Sequence, residues 1–160
     1  MPKVIVQIPY LTMTGDPYFG LYFCSMENLS LGDLTLDLSG GLGIRFDRNG
    51  AFNYNISIGT ITITSASSQA IETWNIDGLT IGTVIAKDVS ECGLLLQKVT
   101  NARIGLVNGD NVASGSGYTA LRFANTKNNS ILSRIAVTWP SCAASSGRWR
   151  ERANRGSRRV

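Results

Sequence analysis

The chain repeats itself at a fixed interval, and this repetition restricts the possible folds more than any other feature. The segment AIETW is followed 23 residues later by GLLLQ, and LTIGTV is followed at the same offset by ARIGLV. Extending this register in both directions gives two columns of apolar anchors. They are Leu21, Ile44, Ile71, Leu94 and Leu121, then Leu31, Ile58, Ile81, Ile104 and Leu132. Such periodicity is typical of a solenoid and predicts an all-β chain of about five stacked rungs.

Each rung reads as strand, turn, strand and loop. Alternation with a period of two places each anchor of the first column, and the residue two further along, on the inward face. Three residues before the second anchor, every rung carries Asn or Gly: Asn28, Asn55, Gly78, Asn101 and Asn129. These residue types tolerate left-handed backbone dihedrals, so the column predicts a tight turn with a ladder of stacked amides.

The net charge of +4 is not spread over the repeats. Residues 1–140 hold 9 Lys/Arg and 10 Asp/Glu, whereas residues 141–160 hold 6 Arg and one Glu. The repeats therefore lack the clustered cations of a nucleic-acid surface, and no apolar run approaches the roughly 20 residues of a membrane span. The chain has no His, and its Cys residues lack CxxC spacing. This composition excludes His-based triads and zinc sites, so we expect free thiols.

Three segments are expected. Residues 1–19 hold a short strand candidate, VIVQI, and predict a partial rung or cap. Residues 20–140 form the β-helix. Residues 141–160 have no apolar pattern and predict a basic, disordered tail or the product of a truncated or shifted reading frame. The beginning, MPKVIVQIPY, lacks the features of a signal peptide, so the sequence assigns no location.

Successive rungs carry a family resemblance. GIRFDRNG, AIETWNIDGLTIGTV, GLLLQKVTNARIGLV and ALRFANTKNNS resemble turns of the pectin-lyase-like superfamily, over about residues 20–135. The resemblance implies a right-handed, single-stranded parallel β-helix with three parallel sheets. It also implies secretion. Members usually have more rungs and a signal peptide, whereas this sequence shows about five rungs and no signal-peptide features. It specifies no reaction, because that superfamily includes lyases, hydrolases, esterases and proteins without activity.

The outward residues of the first strands form the candidate site. Glu72 is expected directly over Arg45, at the rung spacing of about 4.8 Å, and diagonal to Asp47. The diagonal of roughly 8 Å between backbones lies within the window of about 6.5–9.5 Å used by inverting glycosidases. The candidate catalytic residues are Glu72, Asp47 and Arg122, and the candidate substrate-binding residues are Arg45, Trp74, Gln97, Tyr118 and Asn125.

Several functions fit this face. A hydrolase would use Asp47 and Glu72 as acid and base, whereas a lyase would use Arg45 and Arg122 to stabilise charge beside a uronate carboxylate. Trp74 offers a flat apolar surface for a sugar. We therefore predict a protein that binds or cleaves a polysaccharide, without a cofactor unless a lyase recruits Ca²⁺. The alternative is a non-catalytic structural or adhesive solenoid, or a fragment of a larger enzyme, in which a Glu over an Arg is an ordinary surface pair.

Overall fold

A computed structural model describes residues 5–49, 52–115, 119–124 and 129–138. Within these ranges the chain forms strands and no helix. The strands are β1 (Val6–Gly15), β2 (Phe19–Phe23), β3 (Leu29–Leu38), β4 (Leu42–Phe46), β5 (Asn53–Thr64), β6 (Ile71–Val89), β7 (Leu94–Thr100), β8 (Arg103–Val112), β9 (Leu121–Phe123) and β10 (Ala136–Thr138). All of them join one sheet that winds from rung to rung.

The first anchor column sets the stacking of the rungs. Leu21 lies opposite Ile44, Ile44 opposite Ile71, Ile71 opposite Leu94, and Leu94 opposite Leu121, all in parallel register. β3, β5, β6 and β8 stack in the same way through the second anchors, and β6 runs through both halves of its rung. The predicted parallel β-solenoid of about five turns is thereby confirmed.

The second anchor column needs one correction, in the last rung. Ala102 bridges Ile131, so Ser133, and not Leu132, occupies the place opposite Ile104. The Ser133 hydroxyl accepts a hydrogen bond from the Ile104 amide (2.9 Å) and donates one to its carbonyl (3.0 Å). Leu132 is consequently 53% exposed. A register shift of one residue moves a side chain to the opposite face of the sheet.

Aliphatic side chains fill the interior, as the alternation predicts. Ile44, Phe46, Ile71 and Leu94 are fully buried, and the partly buried Leu21, Phe23 and Leu121 pack against this core. Phe123 is the exception at 48% exposure. Its strand, β9, pairs only with β7 among the described residues, so the last rung leaves this side chain uncovered.

The first rung is longer than expected. The predicted strand began at Val4, which lies outside the described residues, and ended at Ile8, whereas β1 continues through Gly15 and pairs in parallel with β3. Val6, Ile8, Leu11 and Met13 cover this end of the core. Residues 141–160 lie outside the described ranges.

The Asn/Gly column adopts left-handed conformations in its first four positions. The φ angles are 59° at Asn28, 55° at Asn55, 80° at Gly78 and 53° at Asn101. The amide ladder is shorter than expected, because only the Asn55 amide reaches the amide oxygen of Asn28, at 3.1 Å. Gly78 has no side chain to continue it.

The next rungs use other hydrogen bonds. The Asn101 amide donates to Asp77 at 2.7 Å. The Ala102–Ile131 bridge puts Ser130, and not Asn129, opposite Asn101. The Asn129 side chain bonds main-chain groups of the rung before, accepting from the Val99 amide (2.7 Å) and donating to the Leu96 carbonyl (3.3 Å).

A column of glycines lets neighbouring rungs approach closely. A methyl group on Gly59, Gly82 or Gly105 would lie 2.9, 2.8 or 2.5 Å from the carbonyl oxygen of the preceding glycine in the column. Real Cβ atoms are essentially never found closer than 3.0 Å to another heavy atom. The glycine after the second anchor therefore reflects packing between rungs.

Candidate functional site

Outward side chains of β2, β4, β6, β7 and β9, with the residues that follow these strands, form one face of the solenoid, which we call the first-strand face. The register places Arg45 opposite Glu72, Trp74 opposite Gln97, and Leu95 opposite Arg122. The stacking predicted for these candidate residues is thus present. Tyr118 and Asn125 lie outside the described residues.

Glu72 is at the centre of this face but is not exposed. Its relative exposure is 0%. Strand alternation points its neighbours Ile71 and Thr73 into the interior and Glu72 to the outer side, so the interior does not account for its burial. The Arg45 guanidinium donates from Nε to Glu72 Oε2 at 2.7 Å, and its Nη2 lies 2.5 Å from the same oxygen. Arg45 itself is largely covered, with 16% of its side chain exposed.

The second carboxylate oxygen is covered from the other side. Arg48 donates from Nε to Glu72 Oε1 at 2.9 Å, its Nη2 lies at 2.8 Å, and the indole N–H of Trp74 donates at 2.6 Å. The Arg48 guanidinium also lies over the Trp74 ring, 5.2 Å from its centroid. Both oxygens of Glu72 are therefore fully engaged, and the expectation of an exposed carboxylate is wrong. Long Arg side chains cover polar groups that strand alternation alone would leave open.

Asp47 is bonded to side chains of the rung before it. The Tyr22 hydroxyl donates to its Oδ1 at 2.6 Å, and Cys24 Sγ lies 3.8 Å from Oδ2. The hydrogen bond from Tyr22 is the main reason that the pKa of Asp47 lies below its usual value, and the same contact raises the pKa of Tyr22. Asp47 is thus held in its ionised form beside Tyr22.

A depression of about 330 Å³ opens on the first-strand face beside Glu72. We call it the polar pocket. Its lining includes Arg48, Glu72, Trp74, Glu91, Gln97 and Arg122. Sequence reasoning identified four of these and missed Arg48 and Glu91. Arg48 follows the end of β4, where strand alternation no longer predicts the direction of a side chain. Its position in the Asp-Arg-Asn turn is the only sequence signal that its side chain could fold back over the strand.

A small apolar cluster supports one side of the polar pocket. Leu95, Cys92 and Ala124 are buried together on the outside of the sheet. Burial raises the pKa of the Cys92 thiol, while hydrogen bonds from the Thr119 main chain and from Arg122 act in the opposite direction. Cys92 is a free thiol, as predicted, and so is Cys24.

Across the described ranges, no three His, Cys, Asp or Glu residues come together in a way that could hold a metal ion. The same ranges contain no helix long and apolar enough to cross a membrane.

The fold and the face together define a parallel β-solenoid with a polar, aromatic-lined pocket on its outer surface. No protein-family model matches the chain, and neither curated proteins nor solved structures give a match. The resemblance to the pectin-lyase-like superfamily therefore rests on the rung sequences alone.

Proposed function

We propose that this protein binds an acidic polysaccharide through the polar pocket. The observation that carries the proposal is the arrangement of Trp74 under the guanidinium of Arg48, with Arg122 and Gln97 also lining the polar pocket. An aromatic ring can pack against the apolar face of a sugar, a guanidinium can pair with a uronate carboxylate, and an amide can bond hydroxyl groups.

The charge of the pocket favours an acidic ligand. Glu72 balances one of its two neighbouring guanidiniums, and 47% of the Arg48 side chain remains exposed. Arg48 can therefore keep its contact with Glu72 and offer further N–H groups to a ligand, since a guanidinium has five donors. Glu91, which is bonded to Gln69, balances a second guanidinium, so Arg45, Arg48 and Arg122 exceed the two carboxylates by one positive charge.

The same geometry supports binding over catalysis by Glu72. A general acid or base must reach the proton that it transfers. Glu72 is covered, and its two oxygens accept bonds from Arg45, Arg48 and Trp74. We assign Glu72 as a positioning residue that holds both guanidiniums and the indole. Asp47, ionised beside Tyr22, fits the role of a general acid poorly.

Binding can be measured by calorimetry with uronate oligosaccharides and neutral glucan oligosaccharides of equal length. We expect binding of the uronates, weakened by salt, and a loss of about tenfold or more in Arg48→Gln, the scale of one charge-assisted contact. Gln97→Ala, which leaves the ion pairs intact, should weaken binding less. Arg103→Gln serves as the matched control, because Arg103 is exposed on β8, away from the pocket.

The outcomes separate the candidate functions. Failure of every uronate to bind would refute the proposal and favour the structural solenoid. Loss of polymer viscosity, or the ultraviolet absorbance of an unsaturated product, would show that the protein is an enzyme. Circular dichroism of each variant checks that a loss of binding is not a loss of fold.

A further inference from the structure

A second cavity, of about 410 Å³, adjoins the polar pocket toward the N-terminal end of the solenoid. We call it the aromatic cleft. The lining residues that matter here are Asp16, Tyr18, Phe19, Arg45, Ser67 and Ser68. None of the predicted site residues except Arg45 belongs to it. A cavity of this size is within the range of small-ligand sites, which is about 300–1,000 Å³.

Aromatic rings form a firm wall of this cleft. Tyr18 meets Phe19 edge to face, with ring centroids 4.5 Å apart, and Phe19 stacks on Tyr22 at 5.2 Å. The Arg45 guanidinium lies 4.5 Å from the Phe19 centroid on the same wall. Tyr18 nevertheless remains 82% exposed. A ring held by its neighbours and open to solvent is suited to pack against the apolar face of a sugar.

The two cavities share a boundary. Ser68 lines both of them, and Arg45 in the aromatic cleft is bonded to Glu72 in the polar pocket. A ligand that fills both cavities must therefore cross Ser68 and the Arg45–Glu72 pair. This crossing runs from rung to rung, so the ligand has to be a chain of several units.

The cavities differ in charge. The polar pocket is lined by Arg48, Arg122 and Glu91, so with Glu72 paired to Arg45 it keeps one excess positive charge. In the aromatic cleft, Arg45 is already engaged by Glu72 and Phe19, while Asp16 contributes a carboxylate. Like charges in proximity repel, so a uronate is disfavoured in the cleft and an uncharged sugar, held by hydroxyl contacts to Asp16, Ser67 and Ser68, is favoured.

We infer that the ligand is a heteropolysaccharide that combines acidic and neutral units, with an acidic unit in the polar pocket and a neutral unit in the aromatic cleft. This inference rests on the proposed function, since it assumes that the polar pocket binds a uronate. It adds the composition and the minimum length of the ligand.

The test compares two hexasaccharides by calorimetry: one made only of galacturonate, and one that alternates glucuronate with N-acetylglucosamine. The wild-type protein should bind the alternating probe more tightly. Asp16→Asn removes the repelling charge and should tighten binding of the all-uronate probe by about threefold or more, without tightening that of the alternating probe. Tyr18→Ala should lower the affinity for the alternating probe by about five- to tenfold. Asp33→Asn and Tyr10→Ala are matched controls on exposed residues outside both cavities.

Each result decides one of the two proposals. If Arg48→Gln weakens both probes but Asp16→Asn and Tyr18→Ala change neither, the polar pocket stands and the inference about the aromatic cleft is overturned. Equal wild-type affinity for the two probes also overturns it. If neither probe binds, or Arg48→Gln binds both as the wild type does, the proposed function fails as well.

Discussion

Replacing Glu72 by Gln tests the buried ion-pair network at its centre. The substitution preserves size but removes the charge that Arg45 and Arg48 share. Breaking a buried pair by removing one partner costs about 3–5 kcal/mol, because the other charge is left uncompensated. Arg45 is 16% exposed and bears this penalty, whereas Arg48 is 47% exposed and can turn to water. Gln also keeps one acceptor oxygen. We therefore expect a loss of about 2–3 kcal/mol, below the full range.

For a chain of 160 residues, this loss should lower the melting temperature by roughly 5–10 °C. Chemical denaturation gives the free energy of unfolding, and Asp33→Asn, on an exposed side chain of β3, should change it by less than about 0.5 kcal/mol. A double-mutant cycle with Arg45→Gln should return a coupling within about 0.5–3 kcal/mol. If Glu72→Gln is as neutral as the control, the carboxylate is open to water and the network described above does not exist in solution.

Three further predictions concern a turn, its pH dependence and the glycine column. Asn101→Ala should lower the free energy of unfolding by about 1–2 kcal/mol, because Ala disfavours the left-handed backbone at φ 53°. Asn101→Gly should recover most of that loss, and equal costs of the two substitutions would disprove a backbone origin. Hydrogen bonds from Thr100 and Asn101 depress the pKa of Asp77 in the folded protein. These bonds therefore add stability above the pKa of Asp in the unfolded chain, which is about 3.9. The difference in unfolding free energy between wild type and Asn101→Ala should shrink as the pH falls below about 4. Gly105→Ala should lower the free energy of unfolding by about 1–3 kcal/mol, because the added methyl group forces two rungs apart. Ser57→Ala on the outer surface is the control, and a neutral result for Gly105→Ala would mean that the rungs are more loosely stacked.

Much of the fold could be read from the repeat. The steps between Leu21, Ile44, Ile71 and Leu94 predicted the pairings of β2 with β4, β4 with β6 and β6 with β7. This succeeds because side chains alternate strictly along a strand and because identical rungs stack on one another, so one register fixes the rest. The prediction failed by one residue at Leu132, where the repeat is weakest and no apolar residue marks the correct position.

The candidate site was only partly predictable. Alternation correctly placed Glu72 over Arg45 on the outside of the sheet. It could not reveal that Glu72 is buried, because the side chain that completes its cover, Arg48, lies beyond the end of β4, where no periodicity determines its direction. The aromatic cleft was missed for a similar reason, since Asp16 and Tyr18 lie in the connection between β1 and β2, where strand alternation does not indicate the direction of a side chain.

The sequence by itself therefore determined the architecture, the direction of the strands, the inner and outer faces and most of the register, all of which follow from local alternation and a fixed period. The tertiary structure alone decided which outward side chains are exposed, which charges neutralise one another, and which loops close the two cavities. Those properties depend on how long, flexible side chains such as Arg45 and Arg48 converge from separate rungs on one carboxylate, and residue spacing carries no information about that convergence.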